Sequence, residues 1–279
     1  MFHSASRCAI ATLLLAAMPG FAQAQGTLEA RYTISLARIP IGTASATADI
    51  VDGRYRLTVS GRASGMLRVI ASGEGSLTAS GAMIDGRPSP AEFVARTTTD
   101  DDTLDVRLGF DGGNVTALAA SAPPPGPDRI KLTEAHRVGV LDPLTALLIP
   151  AGADGSGPSE ASCNRTLPVF DGRRRYDLML AHKRMDTVKA DKGYSGSVVV
   201  CAVTLKPIAG YRKSSRLVKF LTDGRDIEIA LAPVAGTRML APFRVSVANM
   251  LGNLMVHASR FEVLAPSSQR ASATTGQAQ

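Results

Sequence analysis

The chain has no tryptophan, and only 5% of its 279 residues are aromatic. Thirteen rings, eight Phe and five Tyr, are too few to interleave with basic side chains as stacking platforms, so nucleic-acid binding is not expected. No phosphate loop, dinucleotide fingerprint, haem attachment sequence or Gly-x-Ser-x-Gly pentapeptide occurs, and no cofactor is implied. Histidine is scarce, with four in all, and no His-x-x-x-His or Cys/His metal spacing is present. Charged residues make up 20% and hydrophobic residues 45%, with a mean hydropathy of +0.08, a balance that excludes a wholly disordered chain.

What is present begins with an address. Arg7 precedes an apolar run from Ala9 to Met18, and the small-x-small triplet Ala22-Gln23-Ala24 follows. This pattern predicts a secretory signal peptide over residues 1–24, cleaved after Ala24. Pro19-Gly20 interrupts the run well before the ~20 apolar residues of a membrane span. The expected product is periplasmic, without a transmembrane segment. Losing Arg7 lowers the formal charge from +7 to +6, a mild excess compatible with an anionic envelope surface. Losing Cys8 leaves Cys163 and Cys201, which an oxidising compartment pairs as a structural disulfide.

The mature sequence reads as all-β, mainly antiparallel. Leu28, Ala30, Tyr32, Ile34 and Leu36 alternate with polar residues until Pro40, and Ala44-Ala46-Ala48-Ile50 leads through Asp52-Gly53 to Tyr55-Leu57-Val59. Further strands are expected at Ser76 to Ala79, Ala91 to Thr98, Thr103 to Phe110 and Asn114 to Leu118. A Pro-rich crossing at residues 121–128 leads to the clearest helical signal. There Asp142 is the N-cap, Pro143 the first helical residue, and an apolar run extends to Ile149. A short helix with no polar face belongs against a curved sheet. Strands then resume at Arg175 to Met185, Gly196 to Leu205, Ser215 to Leu221, Asp226 to Ala232, Phe243 to Ala248 and Leu254 to Val263. The architecture expected is a curved or spiral sheet, a partly open barrel, forming one domain over residues 25–266 with a disordered tail at 267–279.

Several segments together resemble the bacterial family called domain of unknown function 3108: Tyr32 with Pro40-Ile41-Gly42, Asp142 to Leu148, Val169 to Leu178, Tyr194-Ser195-Gly196 before Cys201, and Leu231-Ala232-Pro233. The resemblance implies an exported, β-rich envelope protein and carries no catalytic residues.

The candidate sites are modest. Arg173, Arg174 and Arg175 follow the Asp171-Gly172 turn and form a candidate anion contact. Asp100-Asp101-Asp102 reads as a solvated hairpin tip more readily than as a calcium site. Ser195 sits in a turn rather than a nucleophile elbow, and His136, His182 and His257 are widely separated, so a non-catalytic role is expected. Leu144, Leu147 and Leu148 are the candidate ligand-facing or core positions of the short helix. Ala-rich strands opposite them either let the helix approach closely or leave room for a lipid-like ligand. A binding or structural role toward an envelope protein, and carriage of a lipid-like ligand on the concave face, are the two readings.

Overall fold

Alternation in the first half converts directly into paired strands, because Leu28 and Ala30 are buried while the intervening Glu29 and Arg31 are not. The computed structural model describes residues 25–63, 73–99, 103–121, 128–152, 157–215, 218–219, 222, 226–249 and 252–264. The expected leader, the acidic triplet Asp100 to Asp102, most of the Pro-rich crossing and the tail lie outside the described residues.

Strands β1 (Gly26–Leu36), β2 (Ile39–Val51), β3 (Arg54–Ala63), β4 (Gly73–Ile84), β5 (Arg87–Thr99), β6 (Thr103–Asp111) and β7 (Asn114–Ala120) form an antiparallel meander. The Asp52-Gly53 and Asp85-Gly86 turns have both central φ values positive, the conformation that two-residue hairpins favour. The turn between β1 and β2 does the same with Ala37 and Arg38, φ 49° and 71°, which carry no such sequence signature. Pro40 therefore does not end a strand. It lies in β2 opposite Ser35, beside a register shift that tolerates its missing donor.

In the second half β8 (Ile149–Pro150), β9 (Arg165–Phe170), β10 (Arg175–Lys189), β11 (Lys192–Gly193), β12 (Ser195–Ala209), β13 (Ile227–Val234), β14 (Met239–Asn249) and β15 (Gly252–Leu264) complete the set. The sheet order is β7-β6-β5-β4-β3-β2-β1-β15-β14-β13-β12-β10-β9. First and last strands thus meet in the middle, and one open antiparallel sheet contains both halves. Short β11 adds to β15 in parallel, and β8 pairs with β14.

Two expectations need correction. The apolar run after Asp142 makes only one 3₁₀ turn, Thr145–Leu147, before Ile149 enters β8. A continuous apolar stretch fits a buried strand as well as a helix, and pairing with Met239 and Leu240 decides it. Its burial is as expected, with Thr145, Ala146, Leu148 and Ile149 all nearly inaccessible. The described residues of the strand expected at Ser215 to Leu221 are not extended: Val218 and Lys219 are helical.

Scarce aromatics are concentrated inside. Phe93, Phe170, Phe243 and Phe261 are among the largest fully buried side chains, and Tyr194, Phe243, Phe261 and His257 pack edge to face or tilted at 5.3–6.3 Å. Aliphatics alone do not fill this core. A second cluster gathers Ile149, Leu180, Val199, Leu231 and Leu240 around the disulfide.

Candidate ligand site

The register of β1, β2 and β3 sets a thin sheet face. Cross-strand rows read Leu28, Ala48, Leu57, then Ala30, Ala46, Val59, then Tyr32, Ala44, Gly61. The middle of this surface is alanine and glycine, so little side-chain volume rises from it. Opposite stands the Asp142 turn, which presents Leu144, Leu147 and Leu148, and β14 closes a third side with Ala241, Pro242 and Val245. The volume left between them is an apolar pocket of about 270 Å³.

The turn that roofs the pocket is fixed by a buried polar set. Asp142 Oδ1 accepts hydrogen bonds from the backbone N–H groups of Leu144 and Thr145 at 3.0 and 2.9 Å, as an N-cap does. Asp142 is wholly buried, and Oδ2 has no hydrogen-bond partner. Burial pushes its carboxyl pKa up, against the hydrogen bonds that lower it. Thr145 Oγ1 in turn shares a 2.8 Å hydrogen bond with Tyr55 Oη on β3. Burial raises the Tyr55 phenol, and the Asp142 charge adds to that effect.

Two other polar side chains at the pocket are engaged within the protein. Tyr32 Oη donates to the Pro242 carbonyl at 2.7 Å, and Arg244 donates to Asp186 at 3.0 Å. His257, opposite Arg244 on β15, is held below the usual imidazole range by burial and by the Arg244 charge.

Cys163 and Cys201 are bonded, with S–S 2.04 Å and both residues wholly buried. The bond ties the segment before β9 to the middle of β12. Arg173, Arg174 and Arg175 do not form a shared exposed patch. Arg173 is buried and donates to Ser121, Arg174 lies over the Tyr211 ring at 5.9 Å, and Arg175 pairs with Asp177 at 2.6 Å. The Asp171-Gly172 turn is present, with Asp171 Oδ1 accepting from the Arg173 and Arg174 amides.

Ser195 and His182 are not brought together. His182 is opposite Cys201 on β12, six residues from Ser195, a span of ~20 Å along a strand. His136 closes a capping box with Thr133 at the 3₁₀ turn Glu134–Arg137. Among the described residues no group of three or more His, Cys, Asp or Glu side chains is placed to hold a metal ion, and no helix is long and apolar enough to cross a membrane.

No curated protein matches the sequence. Among solved structures, a beta-barrel-like protein of domain of unknown function DUF1849 from Brucella abortus is similar at 11% identity and a TM-score of 0.49, covering 88% of this chain and 100% of that one. A family model described as protein of unknown function (DUF3108) matches residues 31–259. That span includes β2 and β3 of the pocket floor, the Asp142 turn, both bonded cysteines and β14, and the chain belongs to the DUF3108 family.

Proposed function

We propose that this chain is an exported, non-catalytic protein of the cell envelope that binds the hydrocarbon part of a lipid-like ligand between the β1–β3 face and the Leu144 to Leu148 turn. One observation carries the reading: a pocket of about 270 Å³ whose floor is Ala44, Ala46 and Ala48 and whose roof is three leucines. Apolar lining with few polar groups suits a ligand held by area burial, at ~25 cal/mol per Å². The polar groups beside it, Tyr32 and Arg244, are engaged with the protein itself, so they orient the walls rather than perform chemistry. The exported location rests on the Arg7 to Ala24 pattern and on the disulfide.

Native mass spectrometry of protein purified from the periplasm tests the reading. A co-purifying species of acyl-chain mass, lost when Ala46 is replaced by Phe, supports it. Protein that is empty and fails to take up a fluorescent acyl probe overturns it, and an empty protein that captures an envelope protein assigns the interaction role instead.

A further inference from the structure

A second cleft borders the same turn and is the more polar of the two. It has a volume of about 680 Å³, and three separate parts of the chain bring arginines to it. Arg87 comes from the start of β5, Arg165 from the start of β9, and Arg238 from the residue before β14. Asp85 is the one acid among the lining residues.

The Arg87 side chain has no ion-pair or hydrogen-bond partner among the described residues. Arg165 donates through one terminal nitrogen to the carbonyls of Ala161 and Pro150, at 3.2 and 3.5 Å, while its Nε is buried with no hydrogen-bond partner. A buried donor without an acceptor is costly, and a second guanidinium beside it adds repulsion. Burial and the Arg87 charge both push the Arg165 pKa down, so the two cations oppose each other across the cleft. An oxyanion between them neutralises the repulsion and accepts from guanidinium N–H groups.

We infer that this cleft binds an oxyanion of the phosphate class through Arg87 and Arg165. The inference stands apart from the apolar pocket, although Leu148 lines both spaces. The phosphate is therefore either a free anion or the headgroup of an amphiphile whose chain occupies the neighbouring pocket.

Calorimetric titration of the mature chain at low ionic strength tests it with three probes: inorganic phosphate, octyl phosphate and the neutral octyl glucoside. The variants are Arg87→Ala, on an exposed hairpin, Arg165→Gln, and Arg56→Ala as a control for exposed charge elsewhere on the sheet. Phosphate or octyl phosphate binding that falls about tenfold in Arg87→Ala and is unchanged in Arg56→Ala supports the assignment. Arg165→Gln gives the same loss if its melting temperature shows it folded. Octyl phosphate binding more tightly than phosphate identifies a headgroup, and equal affinity identifies a free anion. No binding of either phosphate, or an equal loss in Arg56→Ala, overturns the cleft. Octyl glucoside reports on the apolar pocket separately, so its binding in that case leaves the pocket reading intact.

Discussion

Tyr55 and Thr145, ninety residues apart in the chain, share a 2.8 Å side-chain hydrogen bond that pins the roof of the apolar pocket to β3. Removing the phenol oxygen by Tyr55→Phe keeps the ring in the core and frees Thr145 Oγ1. The expected cost is ~1 kcal/mol in urea unfolding, with weaker retention of an acyl probe because the turn is less restrained. Unaltered stability and affinity would show that the bond does not hold the turn.

Asp142 makes a pair of opposed predictions. Its pKa is raised above the ordinary 3.8 by burial, so the native state keeps its proton where the unfolded chain has lost it. That contribution is present at low pH and declines as pH rises through the window above 3.8. Asp142→Asn retains an oxygen for the Leu144 and Thr145 amides without the charge, and should be at least as stable as wild type at pH 8. Asp142→Ala leaves both amides unsatisfied and should lose ~1–2 kcal/mol. Denaturation of the three proteins at pH 4 and pH 8 checks the order.

Glu228 acts in the other direction. Hydrogen bonds from Arg184 and Lys183 hold its carboxyl down to about 2, below the ordinary 4.5. Its stabilising effect is present above 4.5 and is lost as pH falls toward about 2. Glu228→Gln should be less stable than wild type at pH 7, and the two should converge in acid. Parallel pH profiles would exclude the effect.

The disulfide closes a separation of 38 residues, worth roughly 4 kcal/mol in the chain-entropy account. Replacing Cys163 and Cys201 together by Ala should lower the melting temperature of the oxidised protein and leave it close to that of reduced wild type. Equal melting of the variant and oxidised wild type would show that the bond contributes nothing.

Ala46→Phe fills the pocket from its floor. Binding of an acyl probe should fall at least about tenfold, while stability changes little because the ring enters existing space. Unchanged probe affinity would place the ligand elsewhere.

Much of this was legible in the residues. Asp-Gly pairs mark two of the hairpins, alternation from Leu28 gives the buried face, and Asp142 announces the cap it makes. Ala44, Ala46 and Ala48 signal missing volume, although only the cross-strand rows show that Ala30 and Gly61 extend the deficit. The run to Ile149 was misread because β8 owes its form to Met239 and Leu240, ninety residues away. Adjacent arginines at 173–175 suggested a patch, yet Arg173 and Arg175 turn to Ser121 and Asp177 and only Arg174 stays exposed. The cationic cleft was invisible for the converse reason: Arg87, Arg165 and Arg238 are remote in sequence and meet only through the sheet order.

That order also dictates when the fold can be completed. Because β1 pairs with β15, the N-terminal meander is synthesised with a long strand edge, Gly26 to Leu36, that has no neighbour until the final strand emerges. Such an edge is a template for wrong pairing between nascent chains, and pairing the two ends of a sequence is slow. In a chain of this design the β1 edge stays open until the strand residues of β15 arrive.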